Sequence, residues 1–323
     1  MTRPIKTIVI LTGAGISAES GIDTFRAGAN GGPSLWEQHR VEDVATPEAF
    51  ARDPALVHRF YDMRRASIQE KLPNPAHVAL ARLDAEWPND NGFGLLIVTQ
   101  NVDDLHERAG ARRLLHMHGE HLNAWCSACD TRSPWLGELS SRPPCPVCGA
   151  RALRPDVVWF GEMPYGMGDI YAALREADLF VSIGTSGAVY PAAGFVQNAV
   201  ELGAQTLELN LEESQGSRMF HETRLGRASE IVPAWVDQML GGLTPSALRV
   251  LHNPQRAQTG HQAFEQVQHS PLRIAQRGCA FDQHAHGLHR RKGANNPGHG
   301  PQHAIIGATI AIFCIEEIGR AHV

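Results

Sequence analysis

Four short runs along the chain are rich in apolar and β-branched residues: KTIVILTG (6–13), GLLIVTQN (94–101), ADLFVSIGT (177–185) and AQTLELNL (204–211). Such runs are the pattern of strands buried on both faces of a parallel sheet. Tens of residues with helical patterning separate the runs, which predicts parallel strands joined by crossover helices. The stretch TPEAFARDPALVHRFYDMRRASIQEK (46–71) reads as one or two amphipathic helices, and the i, i+3 spacing of Tyr61 and Arg64 puts them on one face. Residues from Glu120 to about Pro155 break the rhythm and are rich in Cys, Pro and Ser, as expected of a small inserted module. After Gly242 the periodicity fades. Residues 1–242 are therefore read as the folded domain, and 243–323 as an atypical tail, disordered or non-native.

Composition sharpens that division. The chain has 323 residues, 43% apolar and 20% charged, with a net charge of -5. That balance is ordinary for a globular domain and gives no reason to expect a nucleic-acid partner. The tail carries eight Lys/Arg against four Asp/Glu and nine of the seventeen histidines, leaving a net charge of about -9 on residues 1–242. Its last residues, Glu317–Val323, resemble a translated sequencing-adapter oligonucleotide. A stop codon near Gly242 in the resequenced locus would make the tail an assembly artefact; an open frame to Val323 would make it genuine. The N-terminus has no visible secretory signal, and the longest apolar run, Ala304–Ile315, is far short of the roughly 20 residues that span a bilayer. A cytoplasmic protein without a membrane partner is expected. In a reducing compartment, clustered cysteines point to metal more than to disulfides.

Cys126-x-x-Cys129 and Cys145-x-x-Cys148, fifteen residues apart, have the spacing of a four-thiolate zinc site. Four protein ligands leave no open position, so the zinc is expected to be structural. Gly13-Ala14-Gly15-Ile-Ser-Ala18 follows the first strand and fits a relaxed dinucleotide fingerprint, in which glycines let backbone amides approach a pyrophosphate. The acid usually found about 20 residues on is absent, which disfavours an ordinary hydride-transfer dehydrogenase. In parallel sheets ligands bind beyond the carboxyl ends of the strands. Here those ends carry Gly13–Gly15, Gln100–Asp103, Gly184–Ser186 and Asn210–Glu212, which are expected to line one crevice.

With GIDTFR (21–26), TQNVDDLH (99–106), HMHGE (116–120), VVWFGE (157–162), GTS, YPAAGF and NLE, these motifs resemble the sirtuin family of NAD-dependent protein deacylases, most closely its bacterial CobB-type members. The resemblance runs from about Lys6 to Gly242. It implies a Rossmann-type α/β fold, a parallel sheet with an inserted small zinc-ribbon module, and NAD+ as co-substrate with one structural Zn2+. It further implies that His118 is the general base, that Asn101 orients a water or ribose hydroxyl, and that Asp103 holds the nicotinamide ribose. The remaining NAD contacts it implies are Gly13, Ala14, Gly15, Glu19, Thr24, Phe25, Arg26, Trp36, Gln100, Val102, Gly184, Thr185, Ser186, Asn210, Leu211, Glu212 and Ala228. Val158, Phe160, Gly161, Glu162 and Val189 would hold the substrate peptide as an added strand. The loop from Arg26 to Trp36 is a few residues longer than the family pattern, and the tail has no counterpart in it.

In the subgroup that prefers acidic acyl chains, a Tyr-x-x-Arg pair lines the acyl pocket, and Tyr61-Asp62-Met63-Arg64 matches it. A succinyl or malonyl lysine ends in a carboxylate that is costly to bury unpaired, and a guanidinium beside a phenol supplies charge-assisted donors. On composition alone a solvated face is the better reading, and the match to the subgroup reverses that preference. Arg65 is expected to face elsewhere. The resemblance thus implies a monomeric enzyme removing succinyl, malonyl and acetyl groups from protein lysines, with nicotinamide and 2′-O-acyl-ADP-ribose as products. Two other readings stay open: ADP-ribosyl transfer to protein from the same NAD site, and a non-catalytic NAD-sensing module.

Overall fold

The computed structural model describes residues 4–24, 39–88 and 94–241. The tail and the Phe25–Gln38 segment lie outside them. Chain order begins with β1 (Ile8–Thr12) and α1 (Ala14–Ala18), then a helical group of α2 (Val41–Val44), α3 (Pro47–Arg52), α4 (Pro54–Gln69) and α5 (Pro75–Glu86). Next come β2 (Leu95–Thr99), α6 (Leu105–Ala109), β3 (Leu114–His116), β4 (Gly119–Cys126), β5 (Arg132–Pro134) and β6 (Leu153–Val157). The described chain ends with α7 (Met167–Glu176), β7 (Leu179–Ile183), α8 (Phe195–Glu201), β8 (Gln205–Asn210), β9 (Glu222–Leu225) and α9 (Ala228–Gly241).

The four apolar runs became β1, β2, β7 and β8, the central strands of a six-stranded parallel sheet ordered β3-β2-β1-β7-β8-β9. All five residues of β1 are buried because both faces are covered. Ile8 and Ile10 pack toward α5 and α9 with Leu80, Leu83, Val232 and Trp235. Val9 and Leu11 face the other way, onto Ile170, Leu174, Phe195 and Ala199 of α7 and α8. The chain moves outward from β1 through β2 to β3, then crosses back to β7 on the other side of β1. That reversal opens a crevice beyond the carboxyl ends of β1 and β7.

Strands β4 to β6 form a separate antiparallel sheet, ordered β5-β4-β6, which is the inserted module. Its small core holds Ala124, Cys126, Leu139, Cys145 and Leu153. The 46–71 stretch forms two helices because Asp53-Pro54 interrupts it. Thr46 caps α3 by accepting from the Ala49 amide, and Asp53 caps α4 by accepting from the Leu56 amide, each followed by Pro at the first helical position. Val57, Phe60 and Tyr61 of α4 pack on Val157 and Trp159 at the end of β6, joining the helical group to the inserted module. No described helix is long and apolar enough to cross a membrane.

Candidate active site

The turns after β1, β2, β7 and β8 are bonded to one another across the sheet's carboxyl edge. The Gly13 amide donates to Ile183 O at 3.0 Å, Gly15 N to Gly184 O at 2.8 Å, and Gln100 N to Thr12 O at 2.9 Å. Asn210 Nδ2 donates to Thr185 O at 2.7 Å. The glycines are there for clearance. A Cβ on Gly15 would lie 2.8 Å from Gly184 Cα, and one on Gly184, whose φ is +62°, would lie 2.5 Å from the Ile16 amide nitrogen. The N-cap of α1 is Gly13, which offers no side chain to its first-turn amides. A glycine-cleared turn packed backbone to backbone at the reversal point gives a dinucleotide's diphosphate close access to the sheet edge.

A saturated polar network sits beneath this edge. His77 Nδ1 accepts the Asn74 amide at 3.3 Å, so its proton is on Nε2, which donates to Ser17 Oγ at 3.3 Å. Ser17 Oγ also accepts from Asn101 Nδ2 at 3.0 Å and donates to Asp103 Oδ2 at 3.1 Å. The hydroxyl thus uses its one donor and both acceptors, and it ties α1, α5 and the 100–103 turn together. Asp103 Oδ1 accepts the Leu105 amide at 3.1 Å. Burial raises the Asp103 pKa, while the bonds to Leu105 and Ser17 and the charge of His116 oppose that rise.

His118 follows β3. Its Nδ1 lies 3.2 Å from Gln100 O, a group that only accepts, so Nδ1 holds the proton and Nε2 the lone pair. Burial lowers its pKa from 6.5 to about 4, with the Gln100 bond opposing, so the ring is a neutral base at working pH. His116 is bonded at both nitrogens, to Asn101 O at 3.0 Å and to Glu107 Oε1 at 2.6 Å. Burial opposes protonation there, but the Glu107 bond and charge raise the pKa above its ordinary value. His106 is fully buried against Thr12 Oγ1 at 3.0 Å, consistent with a structural role for both histidines.

The other candidate residues spread along the same edge or beside it. Phe25, Arg26 and Trp36 lie outside the described residues. Thr185 Oγ1 is 2.9 Å from Ser182 Oγ, and Ser186 Oγ accepts the Ala188 amide. Leu211 and Glu212 are exposed beyond β8, and Ala228 opens α9. The Glu19 carboxylate accepts from Ser229 N, Ser229 Oγ and Arg227 Nε, which joins α1 to the start of α9; burial raises its pKa, and these bonds bring it below the usual carboxylate value. Glu162 is likewise engaged internally, with both oxygens on Arg154 and one also on the Trp159 amide. VVWF is not a continuous strand. β6 stops at Val157, Val158 N donates to His118 O, and Phe160 N donates to Ala45 O. Gly161, with φ of +91°, turns the chain away. Val189 O accepts from the Ala193 amide.

Tyr61 and Arg64 face the inserted module rather than solvent. Tyr61 is buried, and its Oη accepts from Trp159 Nε1 at 3.0 Å, leaving the phenol proton to donate elsewhere. Burial pushes its pKa up to about 12, so it stays a phenol. Half-buried Arg64 donates from Nε to His121 Nε2 at 3.2 Å. No hydrogen-bond acceptor among the described residues sits on its Nη1 or Nη2.

Cys126 Sγ lies 3.7 Å from Cys148 Sγ, and Cys129 Sγ lies 3.8 Å from Cys145 Sγ, with all four sulfurs within 4.8 Å of one another. A tetrahedron with Zn–S of about 2.3 Å has edges of about 3.8 Å, so the four thiols fit a closed zinc site. Sequence reasoning missed Ser17 and His77, whose roles come from packing, and His121, which no spacing marks.

A family model described as the Sir2 family matches residues 13–191. A Bdellovibrio bacteriovorus protein named NAD-dependent protein deacylase is 54% identical over 241 residues, 74% of this chain and 98% of that one. The Salmonella typhimurium protein of the same name is 56% identical over 239 residues, 73% and 85% of the two chains. Among solved structures, a Sir2 homologue–NAD complex superposes with a TM-score of 0.66 at 36% identity, covering 74% and 91%. A Sir2 structure with a deacetylated p53 peptide and 3′-O-acetyl-ADP-ribose gives 0.62 at 26% identity, covering 74% and 95%. Matched over more than half its length, and carrying the glycine-cleared crevice and four-thiol module just described, the chain belongs to the Sir2 family.

Proposed function

We propose that this chain is an NAD-dependent protein-lysine deacylase that accepts acyl groups ending in a carboxylate, succinyl and malonyl, alongside acetyl. Bound NAD+ supplies an activated ribose carbon, from which nicotinamide leaves as the acyl-lysine amide oxygen takes its place. His118 Nε2, with its proton partner fixed on the opposite nitrogen, is the group able to take a proton from a ribose hydroxyl. Ser17 holds the Asn101 and Asp103 side chains in one arrangement toward that ribose. The thiol quartet holds a structural zinc with no catalytic position. Succinyl-, malonyl- and acetyl-lysine proteins are the partners in this reading, and nicotinamide and 2′-O-acyl-ADP-ribose are the products. A monomer acting in the cytoplasm, without specific nucleic-acid or membrane partners, completes it.

The observation that carries the acyl preference is the Arg64 guanidinium beside Tyr61, with no hydrogen-bond acceptor among the described residues on its two terminal nitrogens. The test compares kcat/KM on succinyl- and acetyl-lysine peptides for the parent and for Arg64→Met. The succinyl-to-acetyl ratio is expected to fall by an amount equivalent to about 1.5–3 kcal/mol of charged hydrogen bonding. Equal losses on both substrates would reduce Arg64 to a supporting role. ADP-ribosyl transfer would instead put label from NAD onto protein without deacylation. A sensing module would show NAD binding with no turnover for His118→Ala to abolish.

A further inference from the structure

We infer that His121 is a positioning residue for acyl selectivity: it takes the Nε–H of Arg64 and sets the guanidinium to present its Nη1–Nη2 end to an acyl carboxylate. The inference rests on the acidic-acyl reading above. His121 is held where it is by its backbone. Its amide donates to Val102 O at 2.7 Å, inside the 100–103 turn, and its carbonyl accepts from Arg65 Nε at 2.8 Å. The residue therefore bridges the catalytic turn and α4 whatever its side chain does. That side chain is 1% exposed, and its ring lies 5.4 Å from the Tyr61 ring.

Arginine can only donate, so the 3.2 Å contact makes His121 Nε2 the acceptor and puts the ring proton on Nδ1. Burial and the charges of Arg64 and Arg65 hold the His121 pKa well below its ordinary value, so the acceptor is always available. Its Nδ1 is buried and has no partner among the described residues, so the contact with Arg64 is the one side-chain hydrogen bond of the ring there. A guanidinium grips a carboxylate bidentately along either its Nε–Nη edge or its Nη–Nη end. Engaging Nε on His121 removes the first option and keeps the second. Fixing a long side chain in advance also reduces the ordering cost that binding would otherwise carry. The Arg64 guanidinium carbon also lies 5.7 Å from the Phe60 ring centroid, and the charges of Asp23 and Asp103 act on it, but none of these contacts engages Nε as His121 does. With it, two Nη groups and the Tyr61 hydroxyl form a three-donor end to the acyl tunnel.

The test uses the full chain with NAD+ and matched acetyl- and succinyl-lysine peptides, comparing His121→Leu, His121→Gln and Arg64→Met. In His121→Leu the succinyl-to-acetyl ratio of kcat/KM is expected to fall roughly ten-fold, chiefly through KM for the succinyl peptide. His121→Gln, which returns an acceptor oxygen toward Arg64 Nε, is expected to restore most of the ratio. A ratio unchanged in His121→Leu but collapsed in Arg64→Met overturns the inference and leaves the acyl reading standing. A ratio unchanged in Arg64→Met overturns the acyl reading itself. Should the Leu variant not fold, His121→Asn, with a shorter acceptor, carries the same comparison: a ratio equal to the parent's in that variant overturns the inference.

Discussion

Arg65 and Asp62, one turn apart on α4, form a buried ion pair that reaches into the inserted module. Arg65 Nη1 meets Asp62 Oδ1 at 2.7 Å, with side chains 1% and 9% exposed. Asp62 also accepts from the Leu139 and Ser140 amides, both at 2.9 Å, and Arg65 donates to His121 O and Gly137 O. Arg65 does face away from Tyr61 and Arg64, as expected, but it is not a neutral reference position. Removing one partner leaves a buried charge uncompensated, so Asp62→Ala is expected to cost about 3–5 kcal/mol. Denaturant unfolding reads this as a lower midpoint with an unchanged slope. A midpoint within error of the parent would show that water replaces the carboxylate at no cost.

Acid should destabilise the fold well before carboxylates titrate. Burial, with Arg108 nearby, lowers the His77 pKa from 6.5 to about 4, and its Nδ1 must stay unprotonated to accept the Asn74 amide. Between these values the unfolded chain binds the extra proton, so stability rises with pH and is lost as pH falls below 6.5. From pH 7.5 to 5.5, His77 alone accounts for a loss of about 1.4 kcal/mol. His106 and His118 shift the same way through burial, whereas His116, raised by Glu107, contributes with the opposite sign. Unfolding free energies at the two pH values, compared with those of His77→Gln, isolate the term. The variant's pH slope, not its absolute stability, should be the shallower one. Identical slopes would place the proton uptake elsewhere.

The legible parts of this molecule were those that repeat a local rule. Apolar and β-branched-rich runs gave the four central strands, because a strand covered on both faces carries few polar side chains, although β8 buries Thr206 and Glu208. The Cys spacing marked the metal module for a similar reason, since chelation constrains the local chain. The edge strands β3 and β9, of three and four residues, carry too little pattern to stand out, and their pairing is a tertiary outcome. Ser17, His77 and His121 are in the same position. Each is one polar residue with a partner 56 to 86 positions away in sequence, although His77 also bonds nearby Asn74 and the His121 amide bonds Val102. Tyr61 and Arg64 lie between these cases. Their shared face is a local fact, but only the packing of α4 on Trp159 and His121 shows that the face is not solvated.

Zinc removal should disable the enzyme without touching its reacting groups. The four-thiol site has no open position, but Leu139, in the module's core, is bonded through its amide to Asp62 of α4. Loss of the metal is therefore expected to loosen α4, and with it Tyr61 and Arg64. A strong chelator should lower the melting temperature and deacylase activity together, and added Zn2+ should restore both. Cobalt substitution should give the charge-transfer absorption of four thiolates, which a site with fewer sulfurs would not show. Full activity in protein shown to be zinc-free would sever this link.

The crevice itself is tested at Gly184. A methyl group there would lie 2.5 Å from the Ile16 amide nitrogen and 2.9 Å from Gly15 Cα, on a backbone with φ of +62°. All these neighbours are main chain, so no side chain can swing aside to relieve the overlap. The turn after β1 must then move away from β7, or Gly184 must leave the left-handed region and lose its amide bond to Leu209 O. Gly184→Ala is expected to cost a few kcal/mol of stability, on the order of 1–3 from the backbone conformation alone. Below its melting temperature it should bind NAD+ at least ten-fold more weakly, about 1.4 kcal/mol, because the turns after β1 and β7 no longer hold their relative placement. Calorimetric titration on the folded variant separates the two effects. An unchanged affinity in a destabilised protein would place the diphosphate elsewhere along the sheet edge, and unchanged stability would show that the two turns part without strain.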